Sequence, residues 1–275
     1  MIDNQVFMTA LTTLNYVQGV KGLKKSLLAV ESTRRLVVLV PDEMKSVLMP
    51  PLLEEGVVDE YCHVESMPGL ELPQEAQEQL TCLDSSSNEL YWINTFFKLS
   101  VMRCIQYERI VLLDSDMMVL RNIDDLFEKP PWSAVVATKC VVPEYVKFNS
   151  GLLVLKPDLY DYERLIDSIV PAVKRRADLG RLAGDQDVFQ EACSDWEEHE
   201  ELALPETYNA VWFCVEALCK CYNVKTSDIK VAHFTGSVKP FHRSKWENSR
   251  LLLSYLRHLQ FWRYGVYRRY LGLCR

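Results

Sequence analysis

The chain has 275 residues, 48% of them hydrophobic, enough to bury one large α/β core with at most a small appendage. Its formal charge of −7 speaks against a broad nucleic-acid footprint. No run of about 18 apolar residues exists to cross a membrane, and the opening MIDNQVFMTALTT has no basic stretch leading into a long apolar core, so no secretory leader is expected.

In chain order, QVFMTALTT (Gln5–Thr13) reads as a first strand, and Val17–Val30 has helical apolar spacing. RLVVLV (Arg35–Val40) is short, β-branched and stopped by Pro41, the pattern of a strand buried on both faces of a parallel sheet. Met44–Glu55 reads as a helix. Leu70–Trp92 has no clear period and ends near a serine cluster, which predicts a loop. Ile93–Ile105 is helical in pattern and Arg109–Leu113 is the next strand. Further strands are expected at Ser133–Lys139, Gly151–Lys156 and Ile229–Phe234, with helices at Asp158–Arg176 and Gln186–Cys193. Such alternation predicts a mostly parallel sheet covered by helices on both faces. No repeat or low-complexity tract interrupts it, and the first change of character comes near residue 240, dividing a domain at 1–240 from a tail at 241–275.

Nine cysteines form no C-x-x-C pair, and the tightest group, Cys214, Cys219 and Cys221, lacks the spacing of a zinc site. Reduced, mostly buried thiols in a cytoplasmic protein are expected.

In sheets of this kind ligands sit beyond the carboxyl ends of the strands. The apolar run Ile110–Leu113 ends in Asp114-Ser115-Asp116. If the backbone stays extended, the two carboxylates point to the same side and can share one divalent cation, directly or through water. Left unpaired, each would raise the pKa of the other. The plainer alternative is a turn with solvated aspartates. Three more stretches bear on the choice. Asn149-Ser150-Gly151 offers an amide, a hydroxyl and a bare backbone just before a strand, as a sugar would need. Gly184-Asp185-Gln186-Asp187 fits a helix start, with Asp185 either a cap or a sugar contact. His233 follows a strand, with Gly236 and Lys239 close behind; imidazole joins carboxylates around Mn2+ better than around Mg2+, and the lysine can neutralise a phosphate.

Taken in order, L-T-T-x-x-Y, a helix lysine, D-x-D, N-S-G, G-D-Q and H-F-x-G-x-x-K-P resemble glycosyltransferase family 8, the group of glycogenin and plant galactinol synthase, over Phe7–Phe241. The resemblance implies a nucleotide-diphospho-sugar transferase fold (GT-A, Rossmann-like) and a retaining, Mn2+-dependent hexosyl transfer from a UDP-sugar to a hydroxyl. It implies that Leu11, Thr12, Thr13 and Tyr16 hold uracil and ribose and that Lys98 contacts the donor. Asp114, Asp116 and His233 match the metal ligands, and Ser115 lies near the ribose. Asn149, Ser150 and Gly151 match the sugar-side loop, and Asp185 and Gln186 the residues beside the transferred sugar. Gly236 and Lys239 match the diphosphate loop.

The sequence also departs from the family. Glycogenin carries an acceptor tyrosine some residues after a Tyr-Asn pair resembling Tyr208-Asn209; an ungapped count puts Glu216 there, and NAVWFCVEALC has no tyrosine. An aspartate that glycogenin carries a little before G-D-Q has no match here, and Arg181 and Leu182 fill that neighbourhood. A separate acceptor, a small polyol or a saccharide, is therefore expected rather than self-glucosylation. A homodimer stays open. The rival readings are a self-glucosylating glycogenin-like primer, a nucleotidyltransferase, which would release pyrophosphate, and a non-catalytic UDP-sugar binder.

The tail, 241–275, carries eight Lys or Arg and only Glu247 as an acid, formally +7 against −14 for the remainder. Trp246, Tyr255, Phe261, Trp262, Tyr264, Tyr267 and Tyr270 make it aromatic as well. Either a helix peripheral to a membrane or a helix packed on the acidic body fits that composition.

Overall fold

The computed structural model describes residues 4–83, 94–136, 138–144 and 146–275. Ten strands are assigned among them: β1 Gln5–Ala10, β2 Leu36–Pro41, β3 Cys62–Met67, β4 Arg109–Leu113, β5 Met117–Val119, β6 Ala134–Val135, β7 Asn149–Leu155, β8 Ala203–Leu204, β9 Ala210–Val211 and β10 Val231–His233. Seven form one sheet in the order β3-β2-β1-β4-β7-β6-β8, and a smaller sheet has the order β5-β10-β9. The large sheet is parallel from β3 to β4, and β7 runs antiparallel between β4 and β6.

Side chains along a strand alternate between faces, so the apolar runs of β1, β2, β4 and β7 feed two cores. Val6, Met8, Val37, Leu39, Ile110 and Leu112 face one core; Phe7, Leu36, Val38, Val40, Val111 and Leu113 face the other. α1 (Val17–Ala29) and α2 (Asp42–Glu54) cover the second. α3 (Gln74–Leu83), a 3-10 helix (Phe97–Arg103), α4 (Leu159–Asp167), α5 (Ile169–Ala177) and α6 (Asp185–Ala192) cover the first. Each buried Val or Leu contributes about 1.5–3 kcal/mol, which is why β2 is buried along its whole length.

Several expectations need correction. The first strand stops at Ala10, and Leu11–Tyr16 becomes a loop with a 3-10 turn at its end. Within Leu70–Trp92, expected as loop, Gln74–Leu83 is helical because Leu72, Ala76 and Leu80 repeat every four residues and bury together; positions 84–92 lie outside the described residues. The helix expected over Asp158–Arg176 is two, broken at Ser168. Pro171 has no N–H for the Asp167 carbonyl, and its ring would crowd it. In Ser133–Lys139 only Ala134–Val135 is strand; Ala137 lies outside the described residues.

After α7 (Val215–Tyr222) and β10, the tail forms α8 (Lys245–Arg257) and α9 (Phe261–Cys274). Ser244 caps α8, accepting from Glu247 N at 3.2 Å. Tyr255, Tyr267 and Tyr270 bury in a third core with Trp212 and Phe234, while Trp246 and Phe261 remain 65% and 63% exposed. α9 lies on α1 at Gly22, where an added Cβ would stand 2.6 Å from Cys274 Sγ.

Candidate active site

Two antiparallel pairings assemble the site. β4 beside β7 aligns Leu113 with Leu152, so the chain leaving β4 meets the chain entering β7, and Asp114 N donates to Gly151 O at 2.8 Å. β5 beside β10 aligns Met117 with His233. Phe234 N donates to Asp116 O at 3.0 Å. The end of one strand, the start of a second and the end of a third therefore share one rim.

Asp114, Asp116 and His233 form a cluster whose candidate ligand atoms lie within 4.8 Å of one another. His233 Nε2 is 3.2 Å from Asp116 Oδ1 and 3.7 Å from Asp114 Oδ2. Two carboxylates and one imidazole make a donor set that can hold a divalent cation. An added Cβ on Gly151 would stand 2.5 Å from His233 Cε1, so glycine is what leaves room for the ring.

Two buried lysines flank the cluster. Lys239 Nζ donates to Asp116 Oδ2 at 2.5 Å. Lys98 Nζ donates to Asp114 Oδ1 at 2.6 Å and to Ser150 O at 2.8 Å, and lies 3.0 Å from Asp185 Oδ2. Burial alone would raise the Asp116 carboxyl, but His233 and Lys239 hold it well below the usual carboxylate range. Burial alone would lower the Lys98 ammonium, but Asp114 and Asp185 hold it above the usual lysine range. Both charges are thereby fixed at neutral pH.

Asp185 is not the cap of α6. Gly184 is the N-cap, and Asp187, three residues on, reaches back to it, its Oδ2 accepting from Gly184 N at 3.0 Å. Asp185 Oδ2 instead accepts from Ser150 Oγ at 2.8 Å. Gln186 Oε1 accepts from Asn149 Nδ2 at 2.8 Å. The sugar-side residues of the sequence reading are thus one hydrogen-bonded group.

A cleft opens above them, lined by Leu11, Thr12, Thr13, Tyr16, Lys98, Asp114, Ser115, Asp116, Asp185 and Lys239, and also by Ala10, Asn94 and Thr95. Tyr16 packs edge-on to Phe241 and His242, and His242 Nε2 approaches Asn15 O at 2.7 Å. Asn149, Gly151, Gln186 and His233 adjoin the cleft behind this lining. Gly236 does not line it: it sits in an exposed turn at φ +108°, a backbone state that favours glycine. Leu182, in the turn before α6, packs on the first core, and Arg181 is exposed.

Sequence reasoning missed Asn94 and Thr95, which follow an aperiodic stretch with no signal. It also missed Gly19 of α1, where an added Cβ would meet Ser115 O at 2.6 Å; the pair Gly19 and Gly22 inside a helical pattern was the available sign.

A sequence model of glycosyl transferase family 8 matches residues 8–245. Over 246 residues the chain is 30% identical to glycogenin-1 of Caenorhabditis elegans, covering 88% of this chain and 52% of that protein, about half its length. It is 25% identical over 279 residues to galactinol synthase 2 of Arabidopsis thaliana, with 87% and 74% covered. Among solved structures, the galactosyltransferase LgtC in complex with donor and acceptor sugar analogues superposes with a TM-score of 0.60 at 15% identity, over 98% of this chain and 94% of that one. That likeness shows a shared GT-A fold.

Proposed function

The chain belongs to glycosyltransferase family 8, and on that premise we propose that it is a retaining hexosyltransferase that moves glucose or galactose from a UDP-sugar to the hydroxyl of a separate acceptor, with Mn2+ as cofactor. In the reaction the bond from the anomeric carbon to the β-phosphate oxygen breaks, UDP leaves with the electron pair, and the acceptor oxygen replaces it and gives up its proton. The observation that carries the reading is the Asp114, Asp116 and His233 cluster, flanked by two buried lysines, beside a cleft that both aspartates and both lysines line.

Asp114, Asp116 and His233 would hold the metal; when bound, it offsets charge on the diphosphate. Lys239, buried beside Asp116, would stabilise the departing phosphate oxygens. The Leu11–Thr13 loop and Tyr16 would form the uridine wall, with Ser115 near the ribose. Asp185 and Gln186 lie beside Ser150 and Asn149, where the hexose would sit, and Asp185 is placed to stabilise positive charge developing on the sugar.

A separate acceptor is favoured by the segment after Asn209. Glu216 opens α7 and faces Arg263 at 3.7 Å, and a carboxylate is a poor glycosyl acceptor. Tyr222, the next hydroxyl of that kind, donates to Glu206 Oε1 at 2.8 Å. A small polyol or a saccharide would therefore be the substrate. None of the described helices is long and apolar enough to cross a membrane. The tail, 241–275, still presents Trp246, Leu253, Leu259 and Phe261 in exposed positions among arginines, which supports peripheral contact with anionic lipid.

The deciding experiment incubates the protein with Mn2+ and a panel of UDP-sugars, follows UDP release with and without acceptors, and weighs the intact protein. UDP release that rises with an added polyol or saccharide, with protein mass unchanged, is expected. A ladder of hexose additions erased by one tyrosine substitution, or release of pyrophosphate, would overturn the reading.

A further inference from the structure

Asn209 is 1% exposed and sits one residue before β9, where the parallel register with β10 pairs Val211 with His233. Its side chain lies between His233 and Asn149, and the polarity of that contact follows from two backbone groups that can only donate. Gly151 N donates to the Asn149 side chain at 2.9 Å, so the atom it meets is Oδ1. Ser150 N donates to the Gln186 side chain at 3.3 Å, so that atom is Oε1. Asn149 Nδ2 then donates to Gln186 Oε1, which is consistent at both ends. The Asn209 atom 2.8 Å from Asn149 Oδ1 must be a donor, Nδ2. That leaves Asn209 Oδ1 facing His233 Nδ1 at 2.8 Å. An amide oxygen only accepts, so Nδ1 carries the proton, and Nε2, on the side of Asp114 and Asp116, is the nitrogen left to bind a metal ion.

We propose that Asn209 is a positioning residue: it fixes His233 in the Nδ1–H tautomer and links the metal-ligand side of the site to the sugar side through Asn149 and Gln186. The proposal rests on reading His233 as a metal ligand. Ligating imidazoles are generally oriented by a partner on the other ring nitrogen, and loss of that partner typically weakens metal binding by about 10–100-fold. The support is itself anchored. Tyr208, next in the chain, hydrogen-bonds Asp125, and Lys230 Nζ donates to the Tyr208 hydroxyl at 2.5 Å, so the turn that aims Asn209 is tied to two other elements.

The test labels histidine with 15N and reads the ring of His233 by long-range nitrogen–proton NMR in metal-free protein at a pH where the ring is neutral. Wild type is expected to show the proton on Nδ1; a proton on Nε2 overturns the proposal without any variant. Asn209→Asp keeps an acceptor and should keep that tautomer, whereas Asn209→Leu should lose it. Free Mn2+ measured by electron paramagnetic resonance should show binding about 10–100-fold weaker in Asn209→Leu than in wild type. Unchanged tautomer and affinity in that variant would overturn the proposal; if it does not fold, the wild-type and Asn209→Asp spectra decide. None of these readouts depends on turnover, so a protein that binds Mn2+ in this way but releases no UDP would refute the transferase reading and leave the role of Asn209 standing.

Discussion

Alanine at position 151 would place a methyl carbon 2.5 Å from His233 Cε1, 2.8 Å from Asn149 Oδ1 and 2.9 Å from Met117 Cε. Carbon contacts are comfortable at about 3.5 Å and beyond, so roughly 1 Å of room must be found. Gly151 O is tied to Asp114 N, so the His233 ring, the nearest contact, has to move, together with the Asn149 amide and Met117 Cε. Overpacking of this kind costs about 1–3 kcal/mol, and at this chain length that lowers the melting midpoint by roughly 2–12 °C. The functional loss should be larger in proportion. A displacement of about 1 Å in a reacting site can cost on the order of 100-fold in rate, so Gly151→Ala is expected to lose that much kcat/KM for UDP release, with weaker Mn2+ binding. Gly265→Ala is the matched comparison: it lies inside α9 with no atom within 4 Å of the new carbon, and should stabilise the fold by about 0.5–1 kcal/mol without touching activity. A Gly151→Ala enzyme within twofold of wild type in both kcat/KM and Mn2+ affinity would refute the reasoning.

Asp116→Asn should keep the circular dichroism of the fold but lose at least ~100-fold in Mn2+ affinity, since losing even an outer partner costs about 10–100-fold; full activity of wild type after EDTA treatment would sink the metal assignment. Thr9 is buried in β1 with its hydroxyl unpaired among the described residues, so Thr9→Val should remove a desolvated group worth about 1 kcal/mol and raise the melting midpoint by roughly 2–4 °C; a fall in the midpoint would contradict this. The doubly substituted Trp246→Ser, Phe261→Ser protein should bind anionic vesicles more weakly than wild type at low salt, and indifference of wild type to such vesicles would dismiss the tail as a lipid surface.

The strand before Asp114 was legible because four apolar residues ending in two acids have few other uses, and the match of Asp114, Asp116 and His233 survives as a real cluster in space. Other parts were hidden for physical reasons. β3 is an edge strand whose Cys62–Met67 sequence mixes His63, Glu65 and Ser66 with apolar residues, so no clean alternation marks it. β5 is three residues long and reads as the tail of the D-x-D turn. α3 was masked by the Gln and Glu between its apolar positions. Asn209 could not be assigned a role from sequence at all, because that role arises only when β9 and β10 come into register. The tail shows the limit of composition: it announced basic and aromatic character, yet Tyr267 and Tyr270 point inward while Trp246 points out.

Gly19 and Gly22 stand one turn apart on the same face of α1. The first admits the Ser115 carbonyl and the Phe241 ring; the second admits Tyr270 and Cys274. Three stretches far apart in the chain, the first helix, the D-x-D turn and the last helix, are thus cut to one another like parts filed to a common gauge. For anyone building chimaeras among relatives, they make a single inheritable cassette. A donor-site swap that takes residues 114–119 from another enzyme but leaves α1 and α9 behind would import the ligands without the surface that sets their depth, and recombination should succeed most often where all three travel together.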